Sequence, residues 1–207
     1  MKFLKPIMKK KEDNDELLQP ENMLGLYARG AFPMADETGK IDWYYPEIRT
    51  IIPINSFNCP RSLRKFLPSS YFEYRFDTCR EDVIRHCAAR DETWISEQLI
   101  DAYKGLIKMN NLHSVEVWHN GKLAGGLYGI NYRGAFFGES MFSLVPQASK
   151  AALIKLLEHL LEKGFVLLDV QYMTEHLRMS TEKSSDAFTS RSQWYSSILI
   201  LLTEDRF

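Results

Sequence analysis
Apolar residues fall into two periodicities along the chain. Leu153, Leu156, Leu157, Leu160 and Leu161 recur at helical spacing between Ser149 and Lys163, and Gly164 stands where such a helix would stop. Shorter helices are predicted from Pro20 through Met23, Leu24 and Tyr27 to Gly30, over residues 61–67 before Pro68, and over 82–89. Another covers 97–109, with Ser96 as its N-cap. Residues 51–53, 113–119, 123–130, 135–137 and 166–171 alternate or run apolar and read as strands. Asn120-Gly121 is a two-residue hairpin signal between two of them. Elements in this order predict an α+β fold, a mixed sheet flanked by helices.

Two apolar runs carry carboxylates: Gly138-Glu139-Ser140-Met141-Phe142-Ser143, and Leu167-Leu168-Asp169-Val170-Gln171. Desolvating an ionised carboxylate costs several kcal/mol or more, so each needs a partner or a task. On an extended strand Asp169 and Gln171 would project from one face. Joined by the amphipathic helix, the two runs point to a site. The plain alternative is a strand-end Asp and Gln facing solvent, with Glu139 in a structural salt bridge.

Composition narrows the class. The 207 residues, 45% hydrophobic and 26% charged, suit a soluble chain with one core or a main domain with an appendage. No apolar run nears the roughly 20 residues of a bilayer span. The start lacks a signal-peptide core, and Lys9 to Asp13 reads as a solvated tail. Cys59, Cys79 and Cys87 form no CxxC pair, and the five histidines show no HExxH or zinc-finger spacing. A cytoplasmic, non-membrane protein without metal or cofactor is expected. The net charge of −1 gives no global pull on nucleic acid, so any RNA contact needs a local basic patch.

Several motifs occur in one order: Phe32-Pro33-Met34, Trp43-Tyr44-Tyr45-Pro46 with Arg49, Thr93-Trp94-Ile95, and His113 to Trp118. They continue with Gly125 to Gly129, Gly138 to Ser143, Ala148-Ser149-Lys150, and Leu168-Asp169-Val170-Gln171. Together, over about residues 20–177, they resemble the leucyl/phenylalanyl-tRNA–protein transferase family. The resemblance implies a small N-terminal domain, residues 1–55, and a GNAT-like acyltransferase domain, residues 56–207. It implies transfer of Leu or Phe, with Met as a further candidate donor, from aminoacyl-tRNA to the N-terminal amine of proteins starting with Lys or Arg. The product would be an N-degron for proteolysis, and a monomer is the simpler expectation.

That chemistry needs two substrates positioned, an amine hydrogen-bonded and an oxyanion stabilised. The resemblance makes Asp169, Gln171 and Glu139 catalytic, with Gln171 orienting the amine. It gives Tyr27, Met34, Trp94, Phe136, Ser140 and Leu160 to substrate binding, with Tyr27 near the bound adenosine and Met34 where the family often has Trp. On spacing alone Leu160 is core. Arg61, Arg64 and Lys65 match part of a cluster holding the tRNA acceptor stem, although a charge group of this size is usually a solvated helix face. His176 is a weak further candidate.

Two alternatives remain. A coenzyme A–dependent acetyltransferase would need a glycine-containing pyrophosphate loop, and the stretch Leu144 to Lys150 has no glycine. A relative with different acceptor specificity, or a non-catalytic binder of tRNA or N-termini, gains weight from Arg178 to Ser185, where the family's Ser-Leu-Gly-Ala segment is missing and the register to Arg191 is longer. The tail beyond is rich in Ser and Thr and closes on an apolar element over 198–202.

Overall fold
A computed structural model describes residues 14–46, 48–56, 59, 61–171 and 188–190. The N-terminal tail, His176, the divergent segment 178–185, Arg191 and the apolar element at 198–202 lie outside the described residues.

After a single turn, α1 (Asn14–Leu17), Pro20 opens α2 (Pro20–Tyr27), where its missing N–H would be unpaired in any case. A two-stranded antiparallel ladder comes next, β1 (Phe32–Ala35) and β2 (Ile41–Tyr44). Local patterning does not predict this pair. Its turn is made by Asp36, whose Oδ1 accepts from the Thr38 amide at 2.8 Å, the Thr38 hydroxyl at 2.6 Å and the Lys40 amide at 3.1 Å.

The main sheet is built from β3 (Ile48–Pro53), β4 (Glu73–Phe76), β5 (Leu112–His119), β6 (Lys122–Tyr132), β7 (Ala135–Ser143), β8 (Leu167–Asp169) and β9 (Phe188–Ser190). Its order is β4-β5-β6-β7-β8-β3-β9. All neighbours are antiparallel except β7 and β8, which run parallel and therefore need a crossover. That crossover is α6 (Ala148–Glu162). Asn120 and Gly121, both at positive φ, make the β5–β6 turn as the sequence predicts. β3 precedes residue 55 yet is hydrogen-bonded within this main sheet.

Helices cover both faces. On one, α6 packs Leu153, Leu156, Leu157 and Leu160 against Val115, Val117, Leu127, Phe136 and Leu168. On the other, α2, α4 (Arg80–Ala88) and α5 (Glu97–Lys108) bury Met23, Ile84, Leu99 and Tyr103 with Tyr128, Ile130 and Phe137. The short helix α3 (Arg61–Phe66) connects β3 to β4 and runs into a 3-10 turn, Leu67–Ser69. Ser96 caps α5 through the Leu99 amide at 3.3 Å. At the end of α6, Gly164 N–H donates to Leu161 O and Phe165 N–H to Leu160 O, a Schellman pair. Leu161 departs from the expected apolar face and is 52% exposed, because it lies about 100° round the helix from buried Leu160.

Candidate active site
β7 and β8 are joined only over Ala135–Phe137 against Leu167–Asp169. Past those rungs they part, and the gap between them opens a cavity of about 690 Å³. One side carries Gly138 to Leu144, the other Leu168, Val170 and Gln171. α4 and its extension add His86, Ala89 and Arg90, while α6 adds Ser149, Leu153 and Leu156.

Glu139 reaches this cavity through a bulge. Along β6 and β7 Tyr128 faces Ser140 and Gly129 faces Gly138, which leaves Glu139 without a partner residue. An extra residue re-aims the side chain and twists the strand. Gly129 permits the bulge: a Cβ there would lie 2.3 Å from the Phe137 carbonyl oxygen and 2.3 Å from the Phe136 ring.

The Glu139 carboxylate accepts from the Tyr103 hydroxyl at 3.1 Å and from Gln171 Nε2 at 2.9 Å. It keeps partial exposure through the cavity yet sits deep in the protein. Burial pushes its carboxyl up to about 8, against the opposing hydrogen bonds of Tyr103 and Tyr27 and the Arg49 charge. Tyr27, Tyr103 and Tyr128 are fully buried around it, and desolvation raises all three phenols well above their ordinary value. Among the described residues the Tyr27 and Tyr128 hydroxyls have no partner in good hydrogen-bond geometry. Tyr27 nonetheless lies close enough to steady the Glu139 charge.

Contrary to the expectation from strand spacing, Asp169 and Gln171 do not share a face. β8 ends at Asp169, and Gln171 adopts a left-handed backbone at φ 61°. Asp169 is wholly buried; its Oδ2 accepts from Arg49 Nε at 2.7 Å, and its Oδ1 accepts from the Gln171 amide at 2.8 Å. Arg49 also donates to Gly30 O, so one guanidinium ties the end of the α2 region to the end of β8. Asp169 thus fixes the Gln171 turn from behind and lines no part of the cavity. With Gln171 Nε2 given to Glu139, the Gln171 side-chain oxygen has no partner among the described residues and lies at the cavity wall.

Of the twelve residues singled out by sequence, Glu139, Gln171, Ser140, Met34 and Trp94 line the cavity. Tyr27 packs behind it, against Trp43 and Phe137. Phe136 and Leu160 are turned into the apolar layer between sheet and α6, each 2% exposed. Arg61, Arg64 and Lys65 are exposed on α3 and do not line the cavity. Sequence reasoning missed Leu153 and Leu156 as lining, since they share one helical period with Leu160. It also missed Tyr103 and Arg90, which carry no local signal. Among the described residues no group of three His, Cys, Asp or Glu side chains is placed to hold a metal ion. The turn before α6 passes through Gln147 at φ 71°, not a glycine.

A cleft between parting strands, holding a carboxamide beside a carboxyl of raised pKa, has the make-up of a site for group transfer that works by positioning its substrates. Two family descriptions match the chain: leucyl/phenylalanyl-tRNA protein transferase over residues 51–192, and the N-terminal domain of the same transferase over 16–47. The chain belongs to the leucyl/phenylalanyl-tRNA protein transferase family. It is 47% identical over 161 residues to the leucyl/phenylalanyl-tRNA--protein transferase of Rubrobacter xylanophilus, spanning 77% of this chain and 84% of that one. To the one from Paramagnetospirillum magneticum it is 46% identical over 182 residues, 84% of this chain and 87% of that one. Among solved structures, a conserved protein of unknown function from Bacteroides thetaiotaomicron superposes with a TM-score of 0.47 at 13% identity, over 81% of this chain and 64% of that one. An aminoglycoside acetyltransferase from an uncultured soil metagenomic sample does so at 0.43 and 15%, over 57% and 91%. Among the described residues no helix is long and apolar enough to cross a membrane.

Proposed function
We propose that this protein moves Leu or Phe from aminoacyl-tRNA to the N-terminal amine of proteins that start with Lys or Arg, with Met a further candidate donor, marking them as N-degrons. The observation that carries the reading is the Gln171–Glu139 pair at the cavity wall, with the Gln171 oxygen unpartnered among the described residues and so available to an amine.

An α-amino group has a pKa near ~8, so at neutral pH it arrives as an ammonium and must lose a proton. Glu139, at about 8, titrates in the same range as the amine, so its ionised fraction can take that proton with little energetic penalty. Gln171 Oε1 accepts a hydrogen bond from the amine and aims its lone pair at the ester carbon. The C–N bond forms, the carbonyl oxygen becomes an oxyanion, and collapse breaks the bond to the ribose oxygen. The proton held at Glu139 can then pass to that leaving oxygen, while the second proton of the attacking nitrogen leaves to solvent, so the transfer yields a neutral amide, a ribose hydroxyl and one released proton. Leu127, Leu153, Leu156 and Leu168 give the donor side chain an apolar bed. Arg61, Arg64 and Lys65 are the candidate contacts for the acceptor stem, and a monomer suffices because all these groups lie on one chain.

The donor is tested directly. Protein offered a peptide beginning with Lys should take label from tRNA charged with Leu or Phe, and none from acetyl-coenzyme A. Acetylation of the peptide without aminoacyl transfer would overturn the reading.

A further inference from the structure
Arg90 differs from several arginines around the sheet. Arg49, Arg75, Arg80 and Arg85 each pair with a carboxylate. Arg90 is exposed at the rim of the cavity, and among the described residues no carboxylate is paired with it. Its Nη2 donates to the Met141 carbonyl on β7, so the guanidinium is held across the mouth between the α4 extension and the strand that carries Glu139. A guanidinium has five N–H groups in a flat fork, and one carbonyl leaves most of them free. A cation pinned by backbone and facing a cavity suits an anion with two adjacent oxygens.

The layout says which anion. The apolar bed under Leu153 and Leu156 takes the aminoacyl side chain, and Gln171 and Glu139 mark the ester. The rim carries Trp94, His86 and Arg90, with the His86 ring stacked on Phe142 at 4.7 Å and 14°. A nucleoside resting on this rim would turn the phosphate of its 5′ side toward the mouth. We infer that Arg90 grips the phosphodiester joining the terminal nucleoside of the charged tRNA to the nucleotide before it. This rests on the aminoacyl-tRNA donor reading above. With a net charge of −1, the chain has no general attraction for RNA, so a single aimed contact should be felt.

The test compares two donors with wild type, Arg90→Gln and Arg90→Lys. One is phenylalanyl-tRNA; the other is phenylalanyl-adenosine, which has the ester and the base but no phosphate. For Arg90→Gln, KM for phenylalanyl-tRNA should rise about tenfold or more, with kcat within about twofold, as for loss of one charge-assisted contact. The slope of log KM against log salt should fall by about 0.7 to 0.9. Kinetics with phenylalanyl-adenosine should not change, and Arg90→Lys should recover part of the loss. An unchanged KM for phenylalanyl-tRNA would overturn the inference. So would an equal loss with both donors, since that would mean Arg90 only braces β7 through Met141. Wild-type protein inert with both donors would instead refute the donor reading itself.

Discussion

Gln171 and Glu139, 32 residues apart, meet in a 2.9 Å hydrogen bond across the gap where β7 and β8 separate. Each is delivered by a local departure from strand geometry: a bulge aims Glu139, and a left-handed residue aims Gln171. The bond uses the Gln171 nitrogen and so orients its oxygen. A carboxamide held this way presents an acceptor that cannot rotate away without breaking a contact to a buried carboxyl.

Removing that acceptor should slow chemistry more than binding. Gln171→Ala is expected to lower kcat about 100-fold, the usual scale for one preorganised polar group, with KM for aminoacyl-tRNA little changed. Steady-state kinetics with a fixed Lys-starting peptide measures the split.

Glu139 should leave a mark on stability as well as rate. Its carboxyl titrates at about 8 when folded against 4.5 as a free group, so the folded protein holds this proton more tightly. Its contribution is therefore fully present below about pH 4.5 and is lost as pH rises through about 8. Melting temperatures between pH 5 and 9 should fall in wild type and fall less steeply in Glu139→Gln. Parallel profiles would show that Glu139 is not the group responsible.

Asp169 acts from behind the site. Asp169→Asn leaves the Arg49 guanidinium buried beside a neutral group, and breaking such a pair costs about 3 kcal/mol or more. Urea unfolding should show that loss. Residual activity should drop with it, since the Gln171 turn loses its anchor, while preference between Leu and Phe donors stays as in wild type.

The apolar bed separates two leucines on one helix. Leu156→Phe should fill the cavity and favour Leu over Phe as donor by about tenfold, a typical discrimination for a change of this size. Leu160→Ala should leave donor preference alone and destabilise by about 2 to 5 kcal/mol, because that side chain is core. Competition between the two charged tRNAs, read beside thermal melts, distinguishes the cases.

Periodicity made the frame legible. The α6 stripe, the Asn120-Gly121 turn, the Ser96 cap and the strands β5 to β8 arise from spacing and turn chemistry local to each segment. The β1–β2 pair did not, because Pro33 and the crowded aromatics hide alternation, and its turn depends on one Asp36 carboxylate. The collinear motifs singled out Glu139, Asp169 and Gln171, but spacing misled on their geometry. A rule for extended strands placed Asp169 and Gln171 on one face, and β8 stops at Asp169. The bulge at Glu139 depends on Gly129 across the ladder, a long-range contact that no single segment displays. Leu153, Leu156 and Leu160 are equivalent by period, and only the parting of β7 and β8 decides which two meet the cavity.

The most direct measurement charges tRNA with labelled Leu or Phe and offers peptides that differ only in their first residue. Label should pass to peptides starting with Lys or Arg and to few others, and Gln171→Ala should abolish most of it. Transfer chiefly to Asp or Glu starts would contradict the acceptor assignment. No transfer to any peptide by folded protein would contradict the proposed function as a whole.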